Sequence, residues 1–84
     1  MSKLRLLILA ENFSMANGYA IVDRTPPINI RRDPGVLVIT HMHDLNRLHG
    51  VRLTNDFEVA HVGYVRPRLI YEAHHLVDMA RNRH

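Results

Sequence analysis

The sequence lacks cysteine and tryptophan altogether. Without cysteine it can form neither disulfide bonds nor thiolate metal sites, which small domains often use to supplement a small core. Long apolar runs are also missing. The longest, Leu6 to Ala10, is far shorter than the roughly 20 residues that span a bilayer and too short for a secretory signal. We therefore expect a cytoplasmic protein with no membrane partner, stabilised by its core, by a histidine-bound metal or by self-association.

The residues that are present indicate one globular domain spanning residues 1–84. Hydrophobic residues make up 46% of the chain and charged residues 23%, which are ordinary globular values. The net charge is +3, and Lys3 is the single lysine among eleven basic residues. The arginines are spread along the chain, with clusters only at Arg31-Arg32 and Arg66/Arg68. This distribution favours a solvated surface over a footprint for nucleic acid.

Three apolar segments predict β-strands buried on both faces. They are Leu4 to Ala10, Val36 to Thr40 and Phe57 to Val65. The alternating residues Ile28 to Arg31 predict a short edge strand. Turns are predicted at residues 33–35 and 54–56.

Helices are predicted between these strands. Phe13 to Val22 has one apolar side, although Gly18 weakens this helix. His43 or Asp44 is expected to cap a short helix that runs through Leu45 and Leu48 and ends at Gly50. The clearest helix begins at Pro67, and its apolar positions form one stripe. The alternation of strands and helices predicts an α/β fold: a small three-stranded or four-stranded, mainly parallel sheet with two to three helices.

Histidines follow the second predicted strand, in the order Thr40-His41-Met42-His43-Asp44, with His49 downstream. This segment resembles the metal-binding loop Thr-His-x-His-x-Asp-His of the metallo-β-lactamase superfamily. It departs from that loop because Asp44 directly follows His43 and the residue directly after Asp44 is not a histidine. We therefore expect no cofactor and no stoichiometric zinc. A small metal-dependent hydrolase that uses His41, His43, Asp44 and His49 is kept as an alternative.

Other catalytic chemistry has little support. Ser2 and Ser14 do not lie in a nucleophile elbow. Glu11, after the first strand, and Asp44, after the second, are placed where ligands bind in α/β sheets, but solvated helix caps are the favoured interpretation. The first loop has no lysine and no glycine-rich turn. The chain is therefore expected neither to bind ATP tightly nor to hydrolyse it.

The layout nonetheless resembles a reduced core of P-loop helicase or terminase ATPases. Thr40, Asp44-Leu45, Leu48 and Gly50 resemble the middle piece of that core. Phe57 to Tyr64 resembles its final strand, with His61 to Tyr64 where an acid pair is expected. The Arg-rich and Val-rich composition also resembles small phage proteins. The resemblance implies a retained fold without ATP chemistry, so no catalytic residue is carried over.

We expect a non-enzymatic binding module, encoded by a phage or mobile element, that docks on a protein of the host or the virus. Tyr64, Arg66, Arg68 and Tyr71 are the predicted anchors because Tyr and Arg dominate binding hot spots. The alternative is a nucleic-acid contact protein that uses Arg31, Arg32, Arg66 and Arg68.

A homodimer is also expected. Three short parallel strands leave two open edges, and the predicted helices are too few to cover both apolar faces. Pairing through the final helix, or through the sheet face near Tyr64, would bury the remainder.

Overall fold

The computed structural model describes residues 3–11, 19–20, 28–29 and 33–82. These residues form five strands, one 3-10 helix and one α-helix. In chain order they are β1 (Leu4–Leu9), β2 (Tyr19–Ala20), β3 (Ile28–Asn29), β4 (Val36–Ile39), the 3-10 helix (Met42–Leu48), β5 (Leu53–His61) and α1 (Pro67–Arg81).

The main sheet has three strands in the order β4-β1-β5, and both neighbours run parallel to β1. Leu7 pairs with Leu37 on one side and with Val59 on the other. A separate ribbon pairs β2 with β3 in antiparallel orientation. The predicted α/β class with a small parallel sheet is confirmed, and the helices that accompany it are α1 and the 3-10 helix.

The central strand β1 is buried on both faces. Leu7, Ile8 and Leu9 are fully buried, as the near-continuous apolar sequence predicted. Leu7 and Leu9, with Leu4, join a cluster that includes Ile39, Leu48 and residues of α1. Leu6 and Ile8 belong to a second buried cluster, together with Ala10 and Val36. From Leu6 onwards, alternate residues of β1 therefore face two different cores.

Helix α1 covers the first of these faces. Pro67 lies in its first turn, where a backbone N–H has no hydrogen-bond partner within the helix, so the N–H that proline lacks costs no hydrogen bond. Its buried side chains are Leu69, Ala73, Val77 and Ala80, all of which belong to the predicted stripe. Near the end of α1, the guanidinium of Arg81 lies 5.6 Å from the centre of the Phe57 ring, a cation–π contact between the helix and β5. No helix in the described ranges is long and apolar enough to cross a membrane.

The 3-10 helix carries the chain from β4, at one edge of the sheet, towards β5 at the other. It buries Leu45 and Leu48, as predicted. The residue that precedes its first turn is His41, in an extended conformation with no side-chain cap. The expectation that His43 or Asp44 caps the helix is therefore wrong, because both lie inside it. Gly50, with φ of +77°, follows the helix in the left-handed region that glycine adopts without strain.

The predicted helix over residues 13–22 is wrong where the structure describes it. Tyr19 and Ala20 form β2, which pairs with Ile28 and Asn29. Tyrosine and β-branched residues follow Gly18 in the sequence, and such residues favour strands. The edge strand expected at Ile28 is confirmed for Ile28–Asn29, whereas the rest of both segments lies outside the described residues.

The turn predicted at residues 54–56 is also wrong, because these residues belong to β5. Between the Leu4–Leu53 pair and the Leu6–Glu58 pair, β1 advances by two residues and β5 by five. Polar residues that look like a turn are thus accommodated as an irregularity in one strand. The turn at 33–35 is confirmed. There the Asp33 carboxylate accepts a hydrogen bond from the Gly35 N–H at 2.9 Å and pairs with Arg5. The Arg5 hydrogen bond holds the pKa of Asp33 below its usual value.

Because β1 carries both cores, we predict that Leu7→Ala lowers the free energy of unfolding by about 2–5 kcal/mol, through lost burial and the cavity left behind. On the opposite face, Ile8→Val is expected to cost about 0.5–1.5 kcal/mol and serves as a measurable variant if Leu7→Ala does not fold. Urea unfolding followed by circular dichroism measures both. Met79→Ala on the exposed side of α1 is the control, expected within about 0.5 kcal/mol of the parent. Equal effects at all three positions would contradict this assignment of the core.

Candidate functional site

The three parallel strands all end at the same edge of the sheet, here called the carboxyl edge. Glu11 follows β1, Thr40 follows β4 and Val62 follows β5. Hydrogen bonds continue just past the strands: the Ala10 N–H donates to the Ile39 carbonyl and the Val62 N–H to the Leu9 carbonyl. The polar residues that come next are therefore held on an ordered backbone, at the position where open α/β sheets bind ligands.

An ion pair between Glu11 and Arg66 joins the end of β1 to the beginning of α1. The Arg66 backbone N–H donates to Glu11 Oε2 at 2.6 Å, and its Nε–H donates to Oε1 at 2.5 Å. Only 12% of the Glu11 side chain is exposed, against 60% for Arg66. The positive end of the α1 dipole adds to the attraction. Glu11 is thus a half-buried structural partner of Arg66 rather than the solvated cap that the sequence predicted.

This arrangement stabilises the ionised form of Glu11. The hydrogen bond from the Arg66 backbone N–H lowers the pKa of Glu11, and this effect, with that of the Arg66 side chain, outweighs the opposing effect of burial. Sequence reasoning identified both residues but did not pair them. They are 55 positions apart, and only the strand order, with β5 beside β1, brings them together.

A second polar group lies at the end of β4. Asp44 Oδ2 accepts the Thr40 backbone N–H at 3.1 Å and the Thr40 hydroxyl at 3.0 Å, and His41 Nδ1 lies 3.1 Å from the same oxygen. Burial alone would raise the pKa of Asp44. The Thr40 hydrogen bonds, with smaller effects of His41 and Arg47, outweigh it and leave the pKa below its usual value.

His41, His43 and Asp44 come together as a compact group, which we call the His-His-Asp group. One ligand atom from each lies within 4.8 Å of the others, and the rings of His41 and His43 stack with their centres 4.0 Å apart. His49, the fourth residue of the metal alternative, is not a member. It lies beyond the 3-10 helix, and its backbone N–H bonds to the Asn46 carbonyl.

The remaining histidines at this edge are on the surface. His61, at the end of β5, is exposed. Its ring meets that of His74 on α1 edge to face, with centres 5.8 Å apart. Sequence reasoning missed this contact, because the two residues share no local motif.

The predicted docking residues lie at the beginning of α1 and on its outer side. Tyr64 and Tyr71 are 73% and 69% exposed, and Arg68 is exposed as well. Arg66 is the residue before the helix, and its pairing with Glu11 fixes part of its side chain. Of the residues proposed for nucleic acid, Arg31 and Arg32 lie outside the described residues.

The chain matches no protein-family model, and no curated protein or solved structure is significantly similar to it.

The Glu11–Arg66 pair predicts how stability depends on pH. Because the pKa of Glu11 is lowered in the folded state, its contribution is present above the unfolded pKa and is lost as pH falls through the folded pKa. We expect Glu11→Gln to be less stable than the parent at pH 7 and to approach it in stability as the pH falls below about 4.3. Urea unfolding at a series of pH values measures this difference.

The control is Glu58→Gln, an exposed position on β5, which should follow the parent curve. A Glu11→Gln variant with the same stability as the parent at pH 7 would contradict a structural role for the ion pair.

Proposed function

We propose that the chain is a non-enzymatic binding module that docks on a protein partner through the surface at the beginning of α1. The proposal rests on the location of the large apolar side chains that the chain exposes to solvent. In the part of the chain that the structure describes, those most exposed to solvent are Tyr64, Tyr71 and Met79. Tyr71 and Met79 are on α1, and Tyr64 precedes the helix by three residues.

The chemistry of this surface suits a protein partner. Tyrosine brings a large contact area with little conformational freedom to lose, and arginine brings charge and directional hydrogen bonds. Arg66 and Arg68 lie between Tyr64 and Tyr71 along the chain, and all four are exposed. The rings of Tyr71 and His75 are parallel, 3° apart in orientation. The partner surface that fits best therefore carries aromatic side chains and carboxylates.

The framework beneath these side chains is rigid, which favours binding because less freedom is lost on association. Leu69, Ala73 and Val77 bury the inner side of α1. The Glu11–Arg66 pair fixes the first turn from the other side. Pre-organised anchors on a packed helix are a feature of binding surfaces that change little when the partner arrives.

The carboxyl groups support a binding module rather than an acid-base enzyme. Glu11, Asp33 and Asp44 are the described groups with shifted pKa values, and all three shifts favour the ionised form. A general acid or base works best with a pKa near the working pH, which requires the opposite shift in a carboxyl group. Each of the three carboxylates also accepts a hydrogen bond from another residue of the fold. With the resemblance to small phage proteins, this supports docking on a cytoplasmic host or viral protein.

The nucleic-acid alternative has less geometric support. Arg5 is paired with Asp33, Arg66 with Glu11, and Arg81 lies over Phe57, so these guanidinium groups already have partners within the fold. Of the predicted set, Arg66 and Arg68 are described and exposed, and Arg66 is the one paired with Glu11. Contacts to phosphate would make binding fall steeply with salt, which separates the two functions experimentally.

Self-association forms part of the proposal and rests on the edges of the sheet. The sequence predicted that an uncovered apolar face would drive dimerisation. The face opposite α1 supports this less than expected, because its residues are already buried within the single chain: Leu6, Ile8, Ala10 and Val36. β4 and β5 each have β1 as a neighbour on one side only in the described sheet. The outer region of β5 carries exposed Asn55, Asp56 and Glu58, which discourage pairing. The apolar strand β4 is therefore the edge through which two copies would join.

We predict that replacing Tyr64 and Tyr71 with alanine weakens capture of the partner by at least about thirtyfold, since a hot-spot side chain contributes about 2 kcal/mol or more. The tagged chain is expressed in its natural host, and co-purifying protein is quantified after nuclease treatment at low and high salt. The matched control replaces Asn55 and Asp56, which are exposed on β5. Capture that survives the tyrosine changes, or that depends on nucleic acid and collapses in salt, would contradict a protein-docking function.

For self-association we predict a two-fold dimer at tens of micromolar, detected by sedimentation velocity. Its melting temperature should rise with protein concentration, because association stabilises the folded state by mass action. A monomer whose melting temperature is unchanged on dilution would refute the dimer and leave the docking proposal untouched.

A further inference from the structure

Two local conformations converge on His41 and create the His-His-Asp group. His41 itself is extended, with φ of −155° and ψ of 168°, and its ring stacks on that of His43 with the ring centres 4.0 Å apart. A 3-10 helix begins immediately afterwards, and residues three apart lie above one another in such a helix. This brings Asp44 back to His41, at 3.1 Å.

The sequence argued against a metal here on two grounds. The first was that Asp44 comes one position earlier than the aspartate of the metallo-β-lactamase loop. That position prevents metal binding in the metallo-β-lactamase backbone, but this chain has a different backbone at the site. The 3-10 turn returns the carboxylate to the two imidazoles without any residue between His43 and Asp44. The second ground was the missing fourth protein ligand. His41 and His43 are exposed, so water can complete the coordination of an ion.

The donor set points to one class of ion. Two imidazole nitrogens and one carboxylate oxygen suit divalent ions of the late first transition row, zinc above all, rather than calcium or magnesium. The carboxylate is already oriented from behind, because Thr40 donates its backbone N–H and its hydroxyl to Asp44 Oδ2. Hydrogen bonds of this kind raise metal affinity by fixing a ligand before the ion arrives.

The change needed for binding is small. Ligand atoms about 2.0–2.1 Å from a tetrahedral zinc ion lie about 3.3 Å from one another. His41 Nδ1 and Asp44 Oδ2 are already that close, and all three ligand atoms lie within 4.8 Å of one another. The stacked ring of His43 has to turn away from His41, which an exposed side chain can do. We propose that His41, His43 and Asp44 form a binding site for one zinc ion, with water at the open position.

The experiment is titration of the full, untagged chain with zinc alone, followed by calorimetry, because a histidine tag would bind zinc itself. We expect one zinc ion per chain and a loss of affinity of at least about tenfold in His43→Gln and in Asp44→Asn. Thr40→Val, which removes one hydrogen bond to Asp44, should have a smaller effect in the same direction. Circular dichroism establishes that each variant is folded, and His43→Gln carries the test if Asp44→Asn is not.

Two controls separate this site from other histidines of the chain. His49→Gln alters the histidine that follows the same helix, and His61→Gln alters the pair formed with His74. Both should bind zinc as the parent does, within about twofold. Cobalt provides a second readout, since its visible absorption should appear in the parent and in both controls and be lost in His43→Gln. No saturable binding, binding that survives His43→Gln, or binding lost in either control would overturn the proposal.

Discussion

The burial of β1 is the constraint on which the rest of the structure depends. A strand with apolar residues at both odd and even positions has no face to offer to water, so it has to lie between two neighbours and between two layers. β4 and β5 supply the neighbours, and α1 with the 3-10 helix supplies one of the layers. Because both neighbours run parallel to β1, the three strands end together, and the polar residues that follow them gather at the carboxyl edge.

The carboxyl edge is divided into two unlike parts. On the side of β5, the Glu11 carboxylate receives both a backbone and a side-chain donor from Arg66, so its hydrogen-bonding capacity is directed inward. On the side of β4, Asp44 is held by Thr40, while the two imidazoles beside it face solvent. The first part fixes the fold and the beginning of α1. The second leaves nitrogen and oxygen donors accessible, which is the condition for binding something from solution.

The elements that sequence reasoning predicted correctly are those with strong periodicity. Continuous apolar character identified β1 and β4, and Pro67 with the apolar stripe after it identified α1. The errors occurred where local composition and long-range pairing disagree. Tyr19 and Ala20 lay in a weak helical pattern that pairing with β3 overrides. Residues 54–56 have the composition of a turn, yet β5 continues through them out of register with β1.

The candidate site was less predictable than the fold. In an α-helix His41 and Asp44 would share a face, but His43 would point away from both, because successive residues lie about 100° apart around the axis. Convergence follows from an extended residue placed directly before a 3-10 turn, and no residue in the segment specifies that combination. The pairing of Glu11 with Arg66 depends likewise on strand order, which is a property of the whole sheet.

The order of the strands along the chain also determines when the protein can fold during its synthesis. β1 leaves the ribosome before either of its partners: Leu6 pairs with Val36 on one side and with Glu58 on the other. Helix α1, which covers most of its first face, comes later still, because it follows β5. Until those residues emerge, the most apolar segment of the chain has nothing native to pair with. Non-local pairing of this kind is slow and leaves apolar surface open to aggregation, so β1 stays without its native partners until the strands that cover it have been made.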